Sequence, residues 1–91
     1  MKFEWDPVKA EKNKTSHGIA FEEASTVFGD PLSLTISDPK HSHDEQRYIT
    51  IGVSSSVRTL VVIHTDRGDD VRIVSARPAA KRERRDYEQG I

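Results

Sequence analysis

The sequence predicts an α+β fold: an antiparallel sheet of four or five strands, two N-terminal helices and one C-terminal helix, with the helices mainly on one face. Three observations carry that expectation. Between Leu32 and Ala76, four segments of strand character follow one another across short polar connections, and strands joined that closely run antiparallel. Ahead of them, Asp6-Pro7, Gly18 and Gly29-Asp30-Pro31 punctuate two segments in the manner of helix ends. Behind them, Pro78 stops the last strand and an arginine-dense helical segment follows.

Met1, Phe3 and Trp5 alternate with Lys2 and Glu4, which is the pattern of a short half-buried strand. Asp6 can cap, and Pro7 can open, a helix running to about His17, where Gly18 stops it. The apolar stripe of this helix, Val8 and Ala10, is thin. Ile19 to Phe28 reads as a second helix, because Ile19, Phe21, Ala24, Val27 and Phe28 group on one side with Glu22 and Glu23 opposite. Leu32, Leu34 and Ile36 then alternate with Ser33, Thr35 and Ser37 in a strand. A polar loop spans residues 38–45, and Gln46 to Val53 forms the next strand. After the Ser54-Ser55-Ser56 turn, Arg58 to Thr65 is apolar on both faces and belongs in the middle of the sheet. Asp66-Arg67-Gly68-Asp69 turns the chain into a strand from Asp70 to Ala76, and the last helix covers Ala79 to about Glu88.

With 91 residues the chain makes one domain, residues 1–91. A chain this short buries only about 60–65% of its unfolded surface, so its core is small. The composition, 34% apolar and 32% charged, is polar, yet the apolar residues are clustered and periodic, which argues against disorder. There is no cysteine, hence no disulfide and no thiolate chemistry, as suits a reducing cytoplasm. The longest apolar run, Leu60 to Ile63, is far too short to cross a bilayer, and Met1 to Trp5 carries no signal-peptide core. A cytoplasmic protein with no membrane partner is expected.

The net charge of −1 conceals a polarised molecule. Residues 72–88 hold six basic side chains (Arg72, Arg77, Lys81, Arg82, Arg84, Arg85) against three acids (Glu83, Asp86, Glu88). Such a patch suits a polyanion, with RNA the first candidate. Arg77, where the strand exits toward the helix, is the leading phosphate ligand, since arginine grips phosphate bidentately and stays charged. Arg72 is an odd number of positions away and is expected on the opposite face. Arg82, Arg84 and Arg85 can touch RNA or simply pair with Glu83 and Asp86 on a solvated helix.

His64 and Arg67 flank the end of the central strand, where they can serve as proton carrier and phosphate clamp, or as a packed strand residue and a turn arginine. Arg47 opens a strand and reaches the same phosphate if that strand neighbours the central one. Tyr87 can stack on a base or anchor its helix to the sheet. His17, at a helix C-terminus, either caps it or contacts RNA. His41 and His43 have a metal-like spacing in a polar loop but no further ligands in sequence reach, so neither metal nor cofactor is expected. There is no phosphate-cradling glycine loop and no basic recognition helix of helix-turn-helix spacing.

Several of these pieces together resemble one family. Trp5-Asp6-Pro7, the Asn13 to His17-Gly18-Ile19 segment, Phe21-Glu22-Glu23-Ala24, Arg47 with Ile51-Gly52, and Arg72 to Arg77 followed by Glu83-Arg84 and Tyr87-Glu88 are similar to the BrnT family, nearly end to end and in order. The Thr65-Asp66-Arg67 turn resembles a further family element and favours Arg67 as a site residue. The resemblance implies a RelE-like fold and a type II toxin that cleaves RNA and blocks translation. It also implies a BrnA-like antitoxin whose DNA-binding domain makes the complex an autorepressor, so that DNA is met only indirectly. The family commonly shows Lys before His-Gly where this chain has Ser16; Lys14 is then the basic residue left to contact RNA.

The resulting expectation is metal-independent cleavage by attack of the 2′-hydroxyl on the adjacent phosphate, giving a 2′,3′-cyclic phosphate and a 5′-hydroxyl. Arg77 and Arg67 stabilise the transition state, Arg47 holds the backbone, and His64 or Glu83 moves the proton. Lys14, His17, Arg82, Arg84 and Tyr87 contact the RNA. The alternative is a non-catalytic module that binds RNA or an acidic partner segment with the same patch.

Overall fold

The computed structural model describes residues 1–41 and 45–90, with the side chain of His41 left aside. Its elements are β1 (Phe3–Glu4), α1 (Pro7–His17), α2 (Phe21–Ser25) running into a 3₁₀ turn (Thr26–Gly29), β2 (Leu34–Ser37), a 3₁₀ turn (Pro39–His41), β3 (Arg47–Val53), β4 (Thr59–Arg67), β5 (Asp70–Pro78) and α3 (Lys81–Gln89). The five strands form one sheet in the order β1-β5-β4-β3-β2, with the apolar β4 in the middle as its sequence requires.

Local chemistry sets α1 as expected. The Asp6 carboxylate accepts from the Val8 amide at 2.8 Å, Pro7 opens the first turn, and Gly18 closes the helix at φ 71°, where its amide donates to the Lys14 carbonyl. The second helix is shorter than the spacing suggests. Ile19 and Ala20 precede it, and from Thr26 the chain tightens into a 3₁₀ turn, with the Thr26 hydroxyl bonded back to the Glu23 carbonyl.

Two expectations about architecture are corrected. The sheet is mixed, because β1 pairs with β5 in parallel, Phe3 opposite Val71 and Glu4 opposite Arg72. The short turns that make β2 to β5 antiparallel say nothing about β1, which reaches the sheet through two helices. The helices also do not share one face. Ile19, Phe21, Ala24 and Val27 pack with Leu60, Val62, Val71, Ile73 and Ala76 on the α1–α2 face. On the other face, Ile51 and Val61 are covered by Ala79, just before α3, and by Tyr87 near its end. Successive strand residues point to opposite faces, so Val61 and its neighbours Leu60 and Val62 serve different cores. Each fully buried Ile, Leu, Val or Phe stabilises this small fold by about 1.5–3 kcal/mol.

Since β1 covers only the start of β5, the edge beyond Arg72 needs another partner. Asn13 of α1 supplies it. Its amide nitrogen donates to the Ala76 carbonyl at 2.8 Å and to the Ile19 carbonyl at 2.9 Å, and its oxygen accepts from the Ala76 amide at 3.1 Å. A buried amide, being donor and acceptor at once, thus replaces a neighbouring strand and fixes the weakly apolar α1 to the sheet.

Candidate active site

An irregularity in β5 makes the site. Ile73 pairs with His64 and Ser75 with Ile63, which leaves Val74 outside the ladder. One extra residue shifts the alternation of faces by one. Ile73 and Ala76 therefore both enter the α1–α2 core although three positions apart. Their neighbours Arg72 and Arg77 both leave from the α3 face although five apart, which corrects the expectation that they point in opposite directions. Arg47 and Arg67 share that face, since Arg47 is opposite Thr65 and Thr65 is opposite Arg72.

Arg47 and Arg77 both border a concavity of about 470 Å³ on this face. Ile49, Ile63 and Ser75 of the sheet line it, and Asp38 and Lys40 from the connection before β3 complete its wall. Those last two carry no motif. They are placed by the register that joins the Asp38 amide to the Arg47 carbonyl at 2.8 Å, and sequence reasoning passed over them.

Arg77 is held by Glu83. Its Nη1 and Nη2 donate to the two carboxylate oxygens at 2.7 Å each, and Nη1 also donates to the Pro78 carbonyl at 3.3 Å. The Glu83 carboxylate also accepts from the Ala80 amide at 2.8 Å, capping α3. The bidentate bond from Arg77, more than any other contact, holds the Glu83 carboxyl below its ordinary range, and the same bond raises Arg77. A guanidinium has five N–H donors. Among the described residues three are engaged here; the two that remain, Nε–H and the second Nη2–H, lie along one edge of the plane. That edge has the spacing that grips a phosphate bidentately.

The other candidates are spread around this centre. Arg67 lies between Glu4 and Glu45, at 3.6 and 3.4 Å, and Arg72 reaches Glu4 at 3.6 Å; neither lines the concavity. His64 is 2% exposed and lies on the α1–α2 face, behind the sheet. Its Nε2 is 2.8 Å from the Thr50 hydroxyl, its Nδ1 is 3.1 Å from Asp66, and its ring packs against Phe28 and Tyr48. Burial pushes its pKa down, against the opposing pull of Asp66. Tyr87 donates to Asp30 at 2.5 Å and packs beside Ile51 and Val61, which anchors α3. Arg84 donates to the Ala79 carbonyl at 2.9 Å, and Arg82 stands exposed on α3.

His17 lines a second, shallower cleft of about 260 Å³ between α1 and β5, with Lys9, Lys12 and Ser16; Lys14 does not line it. Lys12, one turn before Ser16, stands on this cleft instead. His43 lies outside the described residues. Among the described residues no three His, Cys, Asp or Glu side chains gather to hold a metal ion, and no helix is long and apolar enough to cross a membrane.

The sequence profile of the ribonuclease toxin BrnT, of type II toxin–antitoxin systems, matches residues 5–83. The chain belongs to the BrnT toxin family. Among solved structures, the Brucella abortus ribonuclease toxin BrnT has a similar fold, with a TM-score of 0.64 at 23% identity, covering 89% of this chain and 99% of that one. No curated protein matches the chain. The matched region of this BrnT family member takes in Arg47, Arg67, Arg77 and Glu83, and it stops within α3.

Proposed function

We propose that this BrnT family member is a cytoplasmic endoribonuclease of RelE-like fold that cleaves single-stranded RNA by attack of a ribose 2′-hydroxyl on the adjacent phosphate. It needs no resident metal, it blocks translation, and a BrnA-like antitoxin neutralises it. The observation that carries this reading is the convergence of Arg47 and Arg77 on one concavity, with a donor edge on Arg77 that has no partner among the described residues.

In this scheme the scissile phosphate lies against the Nε–Nη2 edge of Arg77. The 2′-oxygen bonds to phosphorus as the bond to the 5′-oxygen breaks, and the guanidinium stabilises the charge that builds on the non-bridging oxygens. A preorganised donor of this kind contributes roughly 100- to 1000-fold in rate. Arg47 holds the backbone across the concavity, and Arg67, further along the same face, steers the strand. In this scheme Asp38, which borders the concavity, takes the 2′-hydroxyl proton, and water protonates the departing 5′-oxygen. Glu83 is a weak base while Arg77 holds it ionised, and His64 lies behind the sheet.

Purified protein incubated with single-stranded RNA in EDTA tests the reading. Fragments ending in 2′,3′-cyclic phosphate and 5′-hydroxyl support it. Strict dependence on added divalent metal, or products with 5′-phosphate ends, overturns the mechanism. Arg77→Ala should abolish most of the turnover while costing only about 1 kcal/mol of stability, the worth of its partly exposed pair with Glu83. Growth arrest on expression, relieved by co-expressing a neighbouring ribbon-helix-helix protein, tests the antitoxin. The pairing of Arg77 with a carboxylate favours one second reading, a module that holds an acidic partner segment; intact RNA after long incubation would select it.

A further inference from the structure

The Val74–Ser75 segment that forms the bulge lines both concavities: the one bordered by Arg47 and Arg77, and the cleft between α1 and β5. The two are therefore neighbours that share a wall at the edge of the sheet. The second cleft carries Lys9, Lys12 and His17. Among the described residues neither Lys9 nor Lys12 has an ion-pair or hydrogen-bond partner, in contrast to Arg67 and Arg72, which face Glu4 and Glu45. α1 contributes three lysines and one glutamate, and His17 lies eight positions after Lys9, about 12 Å along the helix. A cationic stripe of that length, continuous with a phosphate-binding concavity, matches the charged backbone of a single strand.

We infer that the substrate RNA does not stop at the catalytic concavity but crosses the β5 edge at Val74–Ser75 and continues along α1, with Lys9 and Lys12 holding the phosphates beyond the scissile one. This rests on the proposed nuclease reading and extends it to substrate length. A strand spanning both concavities occupies about 4 nucleotides, the lower end of known single-strand site sizes. Lys9 and Lys12 are exposed at the rim of this cleft, on a helix that Asn13 ties to the sheet, so their removal leaves the fold intact.

The test uses 2′-O-methyl oligonucleotides of two, four and eight residues, which lack the attacking hydroxyl, so that binding is read apart from cleavage. In the wild-type protein, affinity should rise steeply between two and four residues and little thereafter. The Lys9→Ala, Lys12→Ala double variant should lose that rise. The slope of its log affinity against log salt should be shallower by about 1.4, the share of two single-strand phosphates. Lys2→Ala, which removes one positive charge just before β1, should change neither. A double variant whose slope and length dependence match those of the wild type or of Lys2→Ala overturns the inference, as does a wild-type protein that binds none of the oligonucleotides. Normal binding by the wild type with no cleavage of unmodified RNA would overturn the nuclease reading and leave the path along α1 standing.

Discussion

Both prongs of the Arg77 guanidinium end on the Glu83 carboxylate, at 2.7 Å each, across the corner where β5 gives way to α3. The carboxylate thereby takes one edge of the guanidinium and leaves the Nε–Nη2 edge without a partner among the described residues. Glu83→Gln keeps the shape and removes the charge that pins the fork, so kcat/KM should fall about 10- to 100-fold with Arg77 still present. Arg77 and Glu83 are partly exposed, so the loss of stability should be only about 1 kcal/mol, read from urea unfolding. The pH dependence has a definite sign. Arg77 lowers the Glu83 pKa from 4.5 in the folded state, so this contribution is present above about pH 4.5 and is lost as pH falls through the folded value. The Gln variant should lack that part of the acid limb.

His64 should give an opposite kind of signature to that of a catalytic base. Burial lowers its pKa from 6.5, with Asp66 pulling the other way, so the folded protein binds the proton less readily than the unfolded chain. Stability is complete above about pH 6.5 and declines as pH falls below it, by at most about 1.4 kcal/mol per unit. Unfolding midpoints between pH 5 and 8 should show this slope in the wild type and a flatter profile in His64→Gln. A pH–rate profile that lost its acid or base limb in His64→Gln would instead place His64 in the chemistry.

Asn13 makes three buried bonds to backbone, two of them to Ala76. Asn13→Ala leaves those groups unpaired at an edge that no strand covers. The expected cost is about 2–4 kcal/mol in urea unfolding, the scale of unsatisfied buried groups. Asn13→Asp should be comparably damaging, because an ionised carboxylate accepts from the Ala76 amide but cannot donate to either carbonyl.

Thr65 is 2% exposed, and its hydroxyl is buried without a hydrogen-bond partner among the described residues. Thr65→Val removes that hydroxyl at constant shape and should raise stability by about 1 kcal/mol, visible as a higher unfolding midpoint. Gly52→Ala should act the other way. A Cβ there would sit 2.8 Å from Val27 Cγ1 and 3.0 Å from Ser33 Cβ, and relieving that overlap should cost about 1–3 kcal/mol in the same measurement.

How much of this was legible varies by element. α1 was readable to the residue, from Asp6 through Pro7 to Gly18, because caps act through neighbours in sequence. The central place of β4 was readable from its two apolar faces. The length of α2 was not, since Thr26 and Ser25 turn their hydroxyls back onto the chain and tighten it into a 3₁₀ turn. Arg47, Arg67, Arg72 and Arg77 could be named from the sequence, but the grouping of Arg72 with Arg77 could not, because alternation fails wherever a residue leaves the ladder.

The amino-acid order alone determined the inventory: which segments become helix and strand, that the β2 to β5 ladder runs antiparallel, that positive charge collects near the end of the chain, and the family resemblance. Those properties are local or compositional and survive without knowing what touches what. Only the tertiary structure decided that β1 runs parallel to β5, that α3 covers the face opposite α1 and α2, and that Val74 stands out of register. It also decided that Asn13 closes a sheet edge 63 residues away and that Arg47 and Arg77 border one concavity that His64 does not line. Each depends on the register between strands distant in sequence, where a slip of one residue carries a side chain to the other side of the sheet.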